Sequence, residues 1–498
     1  MIPGLRFMSI LLCALSLSIG WGVRGNWGHE YGAMIPGALS ALAVCLASGR
    51  EDWRRRAAHF AFFGALGWSF GGSMSYGRVQ GYTHTASAPD VFYGFAMLAV
   101  MGFFWGAMGG AGTALAAQLD RRKLTDFYPP LIAVFAVWFV WDSLGKPFDR
   151  DWFDTDWLGV LLLMAAAGAS CAIRRRVTEA DKLIFAMAGG WWAGFLVLVA
   201  GLGLRMTPPR GDNLAGCLGM TAAMLVVLYR QKQPAVAWVS LVTGFASALG
   251  FAAGNFVRVA GFSTGIAANW HSVFEQSYGF ISGVGVALAM GWLSARSAPV
   301  EDGPGIRDWA EPFAVGFVLI AVTYVNIVKN IRAVWLPSKG IPEAMYGLPA
   351  AWWFHFAYLA LAATVVALLL RHVRRPVAAL PASPLGKGQV LYVVFLWWIV
   401  IGNLSRYLPF HPQRLVTEGV IHLNACLASA LVLMAPRLEE PVPALATPDY
   451  RRLAWRTVLA GSLVTVLLVA LVSGVILMLL DGPLGGARYR FGPRALEP

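Results

Sequence analysis

Ala65-Leu66-Gly67-Trp68-Ser69-Phe70-Gly71 is followed by Arg78-Val79-Gln80-Gly81-Tyr82 and then by Asp90-Val91-Phe92-Tyr93-Gly94-Phe95. The same three pieces return later in the chain. Ala248-Leu249-Gly250-Phe251-Ala252-Ala253-Gly254 answers the first, Arg258-Val259-Ala260-Gly261-Phe262 the second, and Glu275-Gln276-Ser277-Tyr278-Gly279-Phe280 the third. Shorter echoes stand at Glu30-Tyr31-Gly32, at Glu343 with Tyr346-Gly347, and at Gly402-Asn403 with Arg406. Each unit reads as an apolar helix ending in a Gly/Asn/Arg-type stretch, a short loop, and an acid that opens the next apolar helix. The acids are Glu30, Asp90, Asp156, Asp212, Glu275, Glu343 and Glu418. Their spacing of roughly 55–75 residues is that of a helical hairpin in a repeat array.

The lengths of the apolar runs place these helices in a bilayer. About fifteen runs of near-spanning length are expected, each of roughly 20 residues. They cover 5–24, 31–49, 57–76, 91–117, 127–145, 156–173, 183–204, 213–229, 235–256, 275–295, 310–329, 348–371, 388–404, 418–435 and 455–480. A hydrophobic content of 58%, with only 13% charged residues and a mean hydropathy of +0.61, excludes an ordinary soluble domain. The fold expected is an all-α polytopic membrane protein. Residues 1–454 form a single domain of seven parallel hairpins, 455–480 add one more helix, and 481–498 form an external tail. Parallel hairpins can stack as a row or close as an (α/α)-type toroid, and closure is favoured. The Gly/Ala-rich second helices, with Gly102, Gly106 and Gly110 as a ladder, suit close contact where lipid supplies no hydrophobic drive.

Lys and Arg sort by loop. One set carries Arg50, Arg54, Arg55 and Arg56; Arg121, Arg122 and Lys123; Arg174, Arg175, Arg176 and Lys182; Arg371, Arg374 and Arg375; Arg451, Arg452 and Arg456. The positive-inside rule makes these loops cytoplasmic. The N-terminus is then cytoplasmic and the C-terminus periplasmic, in a cell inner membrane. The net charge of +13 is largely this topological signal. No basic stripe interleaved with aromatics suggests nucleic acid as a partner. Met1–Arg24 lacks a small-residue cleavage site and reads as an uncleaved first helix. The five cysteines fall in apolar runs without CxxC or CxxH spacing and read as packing residues.

The opposite face collects the acids with arginines, histidines, amides and aromatics. For any one acid, helix capping is the plain explanation. The functional one is that several acids line an external cavity. Glu30, Glu275 and Glu418 are the best candidates, because each has an Arg and a His or Trp nearby in sequence. Interfacial snorkelling is the plain reading of Arg78, Arg258 and Arg406; binding of phosphate, carboxylate or sulfate is the alternative. Gly67-Trp68-Ser69-Phe70-Gly71 fits GxSxG but lies in a helix, without the strand-to-helix turn a nucleophile elbow needs. His29-Glu30 is followed by Ala33 where a zincin has its second His. Asp142, Asp149, Asp151, Asp154 and Asp156 lack EF-hand spacing. No P-loop or dinucleotide fingerprint occurs, so no cofactor or metal is expected.

Transporters place ionisable groups near the bilayer centre. Here the helix centres carry only Ser16, Ser18, Ser40, His355 and Asn424, and the polar chemistry is one-sided. The leading expectation is an inner-membrane enzyme with a periplasm-facing pocket for a polar small molecule or glycan. Glu30 and Glu275 would serve as acid/base or nucleophile, with His29 and His271 aiding proton transfer. Arg24, Asn26, Trp27, Arg78, Asp90, Asn255, Arg258, Trp270, Glu343, Arg406 and Glu418 would hold the substrate. The alternative is a secondary transporter of a small polar or anionic solute.

Overall fold

The computed structural model describes residues 7–24, 30–71, 76–143, 155–208, 213–303, 307–330, 342–375, 383–403, 412–435 and 446–496. The chain folds as α1 (Phe7–Arg24), α2 (Glu30–Ala47), α3 (Glu51–Arg54), α4 (Ala57–Phe70), α5 (Gly77–Tyr82), α6 (Ala88–Gln118), α7 (Arg121–Asp126), α8 (Tyr128–Ser143), α9 (Trp157–Arg174), α10 (Glu179–Gly194), α11 (Leu214–Arg230), α12 (Pro234–Ser263) and α13 (Trp270–Ser294). It continues through α14 (Ala310–Gly316), α15 (Thr323–Asn330), α16 (Ala350–Arg374), α17 (Pro384–Gly402), α18 (Pro412–Met434) and α19 (Tyr450–Leu479). π-helical turns extend α10 over Phe195–Gly201 and join α14 to α15 over Phe317–Val322. Among the described residues the only strands are the two-residue pair Ala344–Met345 and Leu348–Pro349.

Among the described residues, ten helices are long and apolar enough to cross a bilayer, and three shorter apolar helices accompany them. The protein is therefore a multi-pass, membrane-embedded, all-α protein. Its outer surface agrees: Trp455, Leu459, Leu463, Leu467 and Leu471 along α19 are all exposed, an apolar stripe that only lipid or a partner would cover. Local signals start several helices. Asp449 accepts the amides of Arg451 and Arg452 at the head of α19. Thr178 and Asp181 form a reciprocal capping box on α10. The apolar run expected over 57–76 does not form one helix: α4 ends at Phe70 and α5 begins at Gly77.

Six helices close on themselves. α1 packs on α2, α2 on α4, α4 on α6, α6 on α12, α12 on α13, and α13 on α1. They are the first, second and fifth hairpins of the sequence pattern. The remaining helices pack outside this cycle, with α19 laid against α6 and α12. Small residues make the contacts possible. A Cβ on Gly67 would lie 2.6 Å from the Met108 carbonyl, and one on Gly106 would run into the Thr243 carbonyl and the Ser247 hydroxyl. The Gly102/Gly106/Gly110 ladder is thus the seam between α6 and α12.

The centre of the cycle is aromatic. The Trp21 ring meets Trp68 at 5.8 Å, Trp105 at 5.0 Å and Tyr278 at 4.6 Å, and Phe251 meets Tyr278 at 4.7 Å. Most of these pairs are edge-to-face, the arrangement ring quadrupoles favour. Trp68 and Phe251, matched in the two most similar sequence units, both belong to this cluster.

The end of the bundle where α2 gives way to α4 is clamped. The Arg50 guanidinium donates to the carbonyls of Ser294 (3.0 Å), Ser297 (2.6 Å) and Ala298 (3.0 Å) and to both Asp52 oxygens. Asp52 also accepts from Arg56 at 3.0 Å and from the Val300 amide at 3.1 Å. Arg121 holds Asp302 at 2.7 Å. The basic loops are built into the fold as ties between helix ends.

Candidate functional site

At the other end of the six-helix cycle, directly on the aromatic cluster, sits a buried ion pair. Arg24 is the last residue of α1 and Glu275 lies in the second turn of α13. Their exposures are 2% and 1%, and Arg24 Nη2 is 3.0 Å from Glu275 Oε1. Tyr76, between α4 and α5, completes the group. Arg24 Nη2 donates to its hydroxyl at 2.7 Å, and the hydroxyl donates to Glu275 Oε1 at 3.0 Å. The phenol is the donor in this contact, because a carboxylate oxygen accepts. The guanidinium also lies 4.5 Å over the Trp21 ring and 5.5 Å from Trp105. Removing two charges from water is costly unless they are paired and hydrogen-bonded, and here the pairing and the cation–π contacts provide compensation.

His271 connects this pair to the surface. It stands one turn before Glu275 on α13, with Nε2 3.6 Å from Glu275 Oε1 and 43% of its side chain exposed. Its ring stacks on Tyr76 at 6.2 Å with the planes 19° apart. A half-exposed imidazole against a buried, Arg-held carboxylate is suited to carry a proton between solvent and the buried pair.

A second polar group borders the first. Arg258, near the end of α12, donates from Nη1 to His84 Nε2 at 3.1 Å and to Asn255 Oδ1 at 3.4 Å. Asn255 donates in turn to Thr83 Oγ1 at 3.0 Å. His84 Nδ1 lies 2.8 Å from the Gly485 carbonyl. A carbonyl cannot donate, so Nδ1 carries the hydrogen and Nε2 is the acceptor for Arg258. Burial and the Arg258 charge push the His84 imidazole down, against the raising effect of the Gly485 contact.

The other expected site residues are placed as follows. Asp90 is buried at the head of α6. Its carboxylate accepts from Ser87 Oγ at 2.6 Å and from the amides of Arg490 and Phe491. Glu418 is buried on α18 and accepts from Asn403 Nδ2 at 2.8 Å. Asp156 binds Asn213 across from α9 to α11. These carboxylates, like Glu275, reach other segments of the chain. Trp270 donates from Nε1 to the Ile266 carbonyl at 3.0 Å, and its ring fills the space beside Gly261, closing the α12–α13 turn. Arg78 is part-exposed on α5, and Glu343 is exposed ahead of the short strand pair. Asn26, Trp27, His29, Arg406 and the side chain of Glu30 lie outside the described residues. Of the expected set, the structure brings together Arg24, Glu275 and His271, and beside them Asn255 and Arg258. Tyr76 and His84 belong to these groups and were not in the set. Among the described residues no three His, Cys, Asp or Glu side chains converge as metal ligands would.

The large apolar grooves lie elsewhere. One of about 560 Å³ runs between α8 and the α14–α15 segment, lined by Phe62, Phe135, Phe139 and Phe317 and by no charged residue. No family model, no curated protein and no solved structure matches the chain.

Proposed function

We propose that the protein is an inner-membrane enzyme that performs acid–base chemistry on a polar substrate, a saccharide or glycoconjugate, at a chamber open to the periplasmic face. The carrying observation is the one-sidedness of the Arg24–Glu275–Tyr76–His271 group. It lies at one end of the six-helix cycle, and the Trp21, Trp68, Trp105, Phe251 and Tyr278 rings fill the space beneath it. Such a group serves chemistry at one surface better than passage through the bilayer.

The geometry suggests a division of labour. Glu275 is held as an anion by Arg24 at 3.0 Å, so it is a poor proton donor. At 3.6 Å from His271 Nε2 it stabilises the imidazolium through its charge. His271 exchanges the proton with the substrate, and the Tyr76 hydroxyl fixes the carboxylate. Glu30 is a candidate for the second carboxylate that glycosidic chemistry requires. This proposal includes the fifteen-span topology, with seven parallel hairpins and a periplasmic C-terminus. It is supported by the closed cycle of three hairpins, by the basic clamp at the opposite end, and by the tail docked on the α5–α6 loop.

The test is a stability screen of the purified protein against sugars, sugar phosphates, amino acids and common anions, with mass spectrometry of each stabilising compound after incubation. Conversion that is lost in His271→Gln, and whose His-dependent pH limb moves lower in Glu275→Gln, supports the reading. Full conversion in both Glu30→Gln and Glu275→Gln would sink it. The second reading, a secondary transporter of a polar or anionic solute, is favoured by the buried Arg24–Glu275 ion pair and the interrupted α4–α5 segment. A compound returned unchanged, with flux into proteoliposomes, would establish it instead.

A further inference from the structure

Arg258, part-exposed near the end of α12, differs from Arg24, Arg50 and Arg56. Arg24 is neutralised by Glu275, Arg50 and Arg56 by Asp52. Arg258 makes no ion pair with a carboxylate among the described residues. Its partners are the neutral His84 and Asn255 and the face of Phe262, 4.9 Å from the guanidinium carbon. Its Nε is buried without a hydrogen-bond partner. The guanidinium reaches the loop that carries Thr83 and His84, and the residue keeps partial exposure. His84 cannot supply a compensating charge, because its Nδ1–H is committed to the Gly485 carbonyl. The result is one uncompensated positive charge, partly withdrawn from solvent and held in a fixed orientation. Such a charge is unfavourable unless an anion joins it.

Its position links it to the Arg24–Glu275–Tyr76 group. Phe251, two helical turns earlier on α12, touches Tyr76 at 5.3 Å and Phe274 at 5.1 Å. Arg258 is therefore about 10 Å further along the same helix at 1.5 Å per residue.

We propose that Arg258, positioned by His84 and Asn255, binds a single anionic group (phosphate, sulfate or carboxylate) at the mouth of the chamber, so that the molecule accepted there carries such a group. The inference rests on the chamber being the reaction site. A guanidinium presents paired N–H donors that suit two oxygens of one oxyanion. The anion is either part of a soluble substrate or the phosphate of a lipid headgroup, and the chemistry at Arg258 is the same.

The full-length protein in a neutral detergent is melted against sodium phosphate, sulfate and acetate, with chloride at matched ionic strength as the control. In parallel it is melted in nanodiscs of phosphatidylcholine with and without phosphatidylglycerol. A saturable stabilisation by one of the free anions, lost in Arg258→Gln, supports a soluble anionic ligand. Stabilisation by phosphatidylglycerol alone, lost in the same variant, supports a lipid headgroup. Arg258→Lys keeps the charge without the planar fork. It is the variant to use if Arg258→Gln does not fold, and it is expected to weaken binding at least about tenfold. No saturable response to any of these anions, or a response unchanged in the Arg258 variants, would overturn the proposal. The readout is binding, so it is independent of turnover. If Glu275→Gln leaves conversion intact while Arg258 variants lose the anion, the acid–base reading fails and the anion site stands.

Discussion

Asp90 and Arg490 lie 400 positions apart, yet the Asp90 carboxylate accepts the Arg490 backbone amide at 2.5 Å. The same oxygen takes the Phe491 amide at 3.1 Å. The Arg490 guanidinium lies 4.7 Å over the Tyr93 ring, and Arg488 donates its amide to the Gly81 carbonyl at 3.0 Å. The end of the chain is thus bound to the loop and helix that present His84. Asp90→Ala would leave two amides without their buried acceptor, a loss on the order of 1–3 kcal/mol. Trypsin is expected to cut at Arg488 and Arg490 far faster in this variant than in the wild type. Equal cleavage rates would show that the tail is held by other contacts.

The Arg24–Glu275 pair should behave as one unit. Arg24→Met strands a buried anion and is expected to cost about 3–5 kcal/mol. Adding Glu275→Gln removes that charge, so the double variant should be more stable than Arg24→Met alone. Unfolding by a denaturing detergent, measured on all four members of the cycle, gives the coupling. Strict additivity would mean that the pair is not electrostatically coupled.

The α6–α12 seam tolerates no added atom. Gly106→Ala is expected to cost about 1–3 kcal/mol through displaced backbone. Gly474 on α19 meets nothing within 4 Å of an added Cβ, so Gly474→Ala should be neutral or stabilising by up to about 1 kcal/mol. Thermal melts of the two variants side by side check the contrast, and similar costs would contradict the packing.

Asp52 makes the clamp acid-sensitive. Burial alone would raise its carboxyl, but the Arg50 hydrogen bonds, the Val300 amide and the Arg50 and Arg56 charges outweigh it and hold the group below its ordinary value of 3.8. A carboxyl lowered in the folded state stabilises fully above that ordinary value, and the stabilisation is lost as pH falls through the lowered native one. The destabilising effect of Asp52→Asn should therefore be constant from neutral pH down to the region just above 3.8, and should shrink in stronger acid. Melting both proteins across that range measures it. A gap that persists unchanged at the acid end would assign the Asp52 effect to something other than its charge.

The helices and the close-packed seams were legible because apolar run length and small-residue spacing are local properties. Glu275, Asp90 and Glu418 are legible as acids that open apolar helices in the sequence pattern. Their partners are not, because nothing local to Asp90 points to Arg490, and nothing local to Glu275 points to Arg24. The sequence shows Tyr76 as one of several aromatics on the external face, without its link to Glu275. Residues 57–76 read as one uninterrupted apolar run, which hides the helix end at Phe70. Gly71-Gly72-Ser73 was the available signal, since paired glycines beside a serine disfavour helix continuation. His84 was lost among other polar loop residues, because its role depends on a tail carbonyl from the far end of the chain.

The Arg24–Glu275 pair also sets a clock on biosynthesis. The residues are separated by 251 positions, so at roughly 5–20 residues per second the ribosome needs about 13–50 s to supply the second after the first. Throughout that interval Arg24 has been made and its acid does not yet exist. The first helix must keep its place in the bilayer on the strength of its apolar residues while its terminal guanidinium borrows water or lipid phosphate as a temporary neighbour. The charged centre of this protein is accordingly among the later parts of the molecule to be finished, although one of its halves is among the first to be made.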